Sequence, residues 1–209
     1  MFFSDNNSWL GAVRSRLSRV KIIYQRLIDP WMHSREIYKD RVEAIHYFSK
    51  NEGFHLYGQG WENRIPGFSM NYHNSAKKAY RGGLRFEEKL PVMSRFKFSI
   101  CFENCIFSGY VTEKIFDCFL AGCIPIYFGA PDIEDFVPAD TYIDYRKFKN
   151  LETLEEYLNN FTESDARKML NAAGAFLSSK AFDKYFTLNV VDNMLSKVDN
   201  FQHELNTKK

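Results

Sequence analysis

Two apolar runs fix most of what this chain can fold into. Residues 95–102, RFKFSICF, and 124–129, IPIYFG, are nearly continuous in apolar side chains, and between them Val111–Ala121 sets apolar and polar residues at helical spacing before Gly122. Strands that are apolar throughout are buried on both faces, and a helix joining two of them makes a β-α-β unit with parallel pairing and a right-handed crossover. A short strand, TYIDY (141–145), follows, and then Leu151–Asn160, Glu163–Ser179 and about Phe182–Leu205 carry helical periodicity. Thr162 with Asp165 three residues on is a capping pair for the middle helix. Upstream, Tyr38, Val42, Ile45 and Phe48 share one face of a helix expected over Ser34–Ser49, with the strand GFHLYG (53–58) after it. Residues 59–93, with GQGWENRIPGF and YRGGL, read as a long loop.

The expected fold is therefore α/β, a Rossmann-like parallel sheet with helices on both faces, occupying residues 34–209 as one domain. Residues 1–33 form a separate N-terminal segment in which 8–28 reads as an amphipathic helix stopped before Pro30. That helix is expected to lie on the domain's own core; a homodimer contact and a basic membrane-surface helix are the alternatives.

Composition narrows the class. With 20 Phe and 12 Tyr the chain is far too aromatic for a disordered segment, and 28 Lys and Arg against 26 Asp and Glu give no field that would recruit nucleic acid. No apolar run reaches the roughly 20 residues that span a bilayer, and the start MFFSDNNS lacks the charged and apolar regions of a signal peptide. A cytoplasmic, bacterial-type location is expected, peripheral to a membrane if the N-terminal helix binds one; a Golgi enzyme cut from its anchor would have the same composition. The four cysteines, Cys101, Cys105, Cys118 and Cys123, fall in strand, joint and helix, which favours reduced buried thiols over a disulfide framework or a zinc site.

The chemistry is concentrated at the joint CFENCIFSGYVTEK, residues 101–114. In parallel sheets ligands bind beyond the carboxyl ends of the strands, where loops enter helix N-termini that favour anions. Lys114 in the first turn of its helix is placed against the helix dipole, at a cost of roughly 0.3–1 kcal/mol, unless an anion lies beside it. Glu113 can accept hydrogen bonds from ribose or sugar hydroxyls, Asn104 offers donors and acceptors, and Tyr110 a ring with a hydroxyl. Glu103 closes the strand. Together they describe a pocket for a phosphate-bearing sugar nucleotide, although neither a P-loop nor a G-x-G-x-x-G sequence is present.

The stretch FKFSICFENCIFSGYVTEKIFDCFLAGCIPIYFGAPDIEDFVPADTYIDYRKF (96–148) resembles the fucosyltransferases of glycosyltransferase family 10, whose signature has the form YKFx-(hydrophobic)-xFEN, about five residues, YVTEK, a helix and (V/I)P(V/I)xxGxP. RVEAIHYFSKNEGFHLYGQGW (41–61) is similar to that family's Arg-initiated helix and strand, so the resemblance covers about residues 35–160. It implies the C-terminal, donor-binding half of a GT-B glycosyltransferase, which transfers L-fucose from GDP-fucose with inversion to a hydroxyl of a glycan containing N-acetylglucosamine or glucose, in α-1,3 linkage. It further implies that Arg41 and Lys114 hold the diphosphate and stabilise the leaving group, and that Glu103, Asn104, Tyr110 and Glu113 contact the donor. No metal and no other cofactor are expected. Only about 33 residues precede the match, too few for a Rossmann-like half, so the acceptor-binding domain and its general base are expected outside this chain. Two alternatives remain open here: a catalytically incomplete GDP-sugar module that works with a partner or without catalysis, and a different sugar-nucleotide transferase, separable by GDP against UDP. Lys114→Ala is expected to abolish GDP binding and leave the fold intact.

Overall fold

The structure, a computed structural model, describes residues 37–183 and 185, with 64 and 66 excepted. The expected helix at 8–28, the segment 1–33 and nearly all of the helix expected over 182–205 lie outside the described residues. In chain order the elements are helices α1 (Tyr38–Phe48), α2 (Met70–Ala79) and α3 (Phe86–Met93), strand β1 (Phe98–Phe102), helix α4 (Glu113–Ala121), strands β2 (Ile124–Phe128) and β3 (Ile143–Asp144), and helices α5 (Leu151–Asn159), α6 (Glu163–Leu177) and α7 (Lys180–Asp183).

The β-α-β unit is as the apolar runs require. β1 and β2 pair in parallel with Phe98 opposite Ile124 and Phe102 opposite Phe128, β3 adds on the far side of β2, and Gly122 ends α4 in the left-handed conformation at φ 67°. Alternation along the strands splits the core into two faces. Cys101, Tyr127 and Tyr142 pack with Ile115, Cys118 and Phe119 of α4 and Phe176 of α6. Phe102, Ile126 and Ile143 pack the other way, with Ala44 and Phe48 of α1 and Leu154 of α5. The expected α/β class, a parallel sheet with helices on both faces, is thus observed. Each fully buried side chain such as Ile115 or Leu154 stabilises by about 1.5–3 kcal/mol.

Two upstream expectations need correction. Residues 59–93 are not one long loop, because they contain α2 and α3. Ala76 and Ala79 of α2 are buried with Val42 and Ile45 of α1, a contact of small side chains that leaves little apolar periodicity among the polar residues around them. Pro91 sits inside α3, which is anchored to α4 by the ion pair of Lys89 with Asp117. The run GFHLYG is not a full strand: Leu56 makes a single parallel bridge to Tyr80, its N–H donating to Ala79 O at 2.9 Å and its carbonyl accepting from Arg81 N at 2.9 Å.

All four cysteines are free thiols, with Cys101, Cys118 and Cys123 buried and Cys101 Sγ 3.1 Å from Cys118 Sγ. Hydrogen bonding between thiols, reinforced by burial, pushes Cys118 and Cys123 well above the ordinary thiol range, so they are poor nucleophiles.

Tyr142 supplies a pH test of this core. Its hydroxyl is buried without a hydrogen-bond partner among the described residues, and burial first, then the charges of Asp144 and Glu134, pushes its pKa up to about 12. Below pH 10 the phenol is neutral folded or unfolded; between 10 and 12 the unfolded chain ionises and the folded one does not, so stability falls as pH rises through that window. Chemical denaturation should give a smaller alkaline loss for Tyr142→Phe, by about 3 kcal/mol at most, and a neutral-pH stability no lower than that of the natural chain, since the lost hydroxyl was unpaired.

Candidate functional site

At the carboxyl end of β1 the chain leaves the sheet through Glu103 and Asn104, loops outward and returns at Thr112 to begin α4. The loop closes because the Gly109 N–H donates to Asp132 Oδ1 at 2.9 Å, with Gly109 at φ 75°, where a side chain would be strained. Its return places Lys114 over the strand end. The Lys114 Nζ donates to Glu103 Oε2 and to Thr112 Oγ1, both at 2.8 Å. The Thr112 N–H donates to Glu103 Oε1 at 2.9 Å, and its hydroxyl, which at this N-cap position would ordinarily cap the helix, lies 2.8 Å from Glu103 Oε2 instead.

Arg41 reaches the same end from α1. Its Nη2 donates to the carbonyls of Phe102 at 3.0 Å and Glu103 at 2.8 Å and to Asn104 Oδ1 at 2.9 Å. Burial lowers the guanidinium pKa and the Glu103 charge pulls it back, yet a guanidinium keeps its proton at neutral pH. Asn104 Nδ2 lies 3.4 Å from Tyr110 Oη, at the long limit of a hydrogen bond.

The six residues singled out from the sequence are therefore brought to one strand end, but not in one role. Arg41 and Lys114 line a cavity of about 760 Å³. Asn104 and Glu113 are exposed beside the joint and Tyr110 is half-buried. Glu103 differs from expectation: it is completely buried and its oxygens are occupied by Thr112 and Lys114, so it lies beneath the site rather than in a wall facing a ligand. The anion that offsets the dipole cost of Lys114 is thus already present inside the fold. Sequence reasoning passed over Thr112 and Gly129; the first had a signal, a Thr immediately before a helix, and the second had none.

Much of the cavity is apolar, running along the edge of β1 that carries no strand among the described residues. In the parallel ladder residues 97 and 103 bond toward β2, so by alternation Phe98, Ile100 and Phe102 turn their N–H and C=O groups to the open edge, where Arg41 takes the Phe102 carbonyl. Arg41 and Lys114 line one end of the cavity; Arg85, Lys89 and Lys97 also line it, paired respectively with Glu88, Asp117 and the Phe161 carbonyl. Among the described residues no three His, Cys, Asp or Glu side chains form a group that could hold a metal, and no helix is long and apolar enough to cross a membrane.

The family profile "Glycosyltransferase family 10 (fucosyltransferase) C-term" matches residues 26–170. The chain belongs to this family. It is 31% identical over 152 residues to the mouse 4-galactosyl-N-acetylglucosaminide 3-alpha-L-fucosyltransferase 9, covering 72% of this chain and 35% of that protein. It is 38% identical over 99 residues to Alpha-(1,3)-fucosyltransferase B of Drosophila melanogaster, covering 47% of this chain and 22% of that one. The family member described here thus spans about a fifth to a third of the length of these two relatives. A solved structure, "Crystal Structure of alpha1,3-Fucosyltransferase with GDP", is similar with a TM-score of 0.39 and 31% identity over 43% of this chain and 26% of that chain, too partial a superposition to place residues by.

Proposed function

We propose that this chain is the donor-binding domain of a fucosyltransferase, the C-terminal half of a GT-B pair, and that it holds GDP-fucose at the carboxyl end of β1. The observation that carries the reading is that Arg41 and Lys114, from different elements, line the same cavity beside the N-terminus of α4. Two cations and a helix N-terminus meet the requirements of a diphosphate. Glu113, exposed in the first turn, Asn104 and Tyr110 do not line the cavity but lie at the same strand end, where they would accept from or donate to the ribose and fucose of a donor that extends beyond it.

In this reading L-fucose passes to a hydroxyl of a glycan containing N-acetylglucosamine or glucose, with inversion and in α-1,3 linkage. The relatives named for 3-alpha and alpha-(1,3) transfer support that class of acceptor and linkage. As the glycosidic bond breaks, negative charge grows on the departing GDP, and fixed cations stabilise it where it develops. Arg41 and Lys114 perform that task without a metal. The base that deprotonates the acceptor hydroxyl comes from an acceptor-binding domain outside the described residues.

Calorimetry with GDP-fucose and with a UDP-sugar tests the donor class, followed by a transfer assay on lactose and N-acetyllactosamine. GDP-fucose should bind at least about tenfold more tightly, a difference of some 1.4 kcal/mol. Equal affinity would contradict the donor assignment, and tight binding without transfer would favour an incomplete module that needs its partner half.

A further inference from the structure

We propose that Glu103 is a positioning residue for Lys114, a buried counter-charge that presets the ammonium for the donor diphosphate, and that Gly129 is the residue that makes room for it. This rests on the donor-binding reading above and extends it to residues that touch no ligand. The clamp is built from three separate parts of the chain: the end of β1, the start of α4 and the turn after β2. Glu103 is completely buried, and a buried carboxylate persists only when paired and hydrogen-bonded. Its pairing is complete: Thr112 donates from its N–H at 2.9 Å, and Lys114 donates to Oε2 at 2.8 Å.

The space for the carboxylate is made on the other side by the absence of a side chain. A Cβ built at Gly129 would lie 2.5 Å from Glu103 Cγ and 2.6 Å from Tyr127 Oη, distances real carbons do not adopt. Tyr127 is itself buried and held, its Oη accepting from the Ala130 N–H at 3.0 Å, so it cannot yield. Glu103 would have to move, and Lys114 with it. A lysine ammonium on a four-carbon stem is otherwise a mobile point charge, and a preset one loses less freedom when a ligand arrives.

The prediction has a sign that simple charge counting reverses. Removing a negative charge beside a diphosphate site should tighten GDP binding by Coulomb's law, whereas loss of positioning should weaken it. Glu103→Gln and Gly129→Ala, in the whole chain and with folding checked by melting, are examined in two ways. An NMR signal from the Lys114 ammonium protons is expected in the natural protein, where two hydrogen bonds hold them, and is expected to vanish in both variants. GDP affinity by calorimetry is expected to fall at least tenfold in both. Should Glu103→Gln not fold, Glu103→Asp takes its place, since its carboxylate stops one methylene short of Lys114. GDP bound equally or more tightly by the Glu103 variant, or an unchanged ammonium signal, would overturn the positioning role. A clamp signal that behaves as expected in a natural chain that does not bind GDP would instead contradict the donor reading.

Discussion

Lys114→Ala is expected to cost stability as well as nucleotide binding. The alanine leaves Glu103 completely buried with its charge uncompensated, and breaking a buried pair from one side costs about 3–5 kcal/mol. A domain of this kind has about 5–15 kcal/mol in total, so the variant should melt far below the natural protein. The sequence suggested a substitution silent for the fold; the Glu103 contact makes it otherwise. Adding Glu103→Gln to Lys114→Ala removes the orphaned charge and should recover most of the stability while GDP binding stays absent. Denaturant titration of the two variants decides the matter, and a single variant as stable as the natural chain would show that the buried pair contributes nothing.

Arg41→Ala should have the second largest effect. One nitrogen of this guanidinium satisfies two backbone carbonyls at the end of β1 and the side-chain oxygen of Asn104, tying α1 to the strand end. Hydrogen bonds from a charged donor contribute about 1.5–3 kcal/mol each, and Phe102 is buried, so its carbonyl would be left unpaired at the open edge. A loss of about 2–4 kcal/mol is expected. Arg41→Lys should recover little of it, because the lysine side chain is one bond shorter and its ammonium stops short of the position from which Nη2 reaches all three oxygens. GDP affinity should fall at least tenfold in both. A lysine variant with natural stability and affinity would contradict this account of Arg41.

How much of this was legible in the sequence depends on the range of the forces involved. β1, α4 and β2 were readable because continuous apolar strands and a helix ended by Gly122 are determined locally, and the cap at Thr162 likewise forms within three residues, its oxygen accepting from the Asp165 N–H at 3.1 Å. Helices α2 and α3 were not, because α2 is held by two small alanines against α1 and α3 contains a proline. The run at 53–58 has strand composition, yet only Leu56 pairs, since composition does not specify a partner edge. At the site, the tension between Lys114 and its helix dipole was legible, but its resolution was not. Eleven residues separate Lys114 from Glu103, and only the doubling back of the loop at 104–111 reveals that the relieving anion is internal. Gly129 had the look of an ordinary turn glycine; the close approach of Glu103 that excludes any side chain there is a tertiary fact.

The most direct test of the central claim is a crystal structure of this chain with GDP bound. The account predicts the diphosphate within hydrogen-bonding distance of both Arg41 and Lys114, at the N-terminus of α4, with Glu103 still buried beneath. Nucleotide bound elsewhere, or phosphates that contact neither cation, would contradict it.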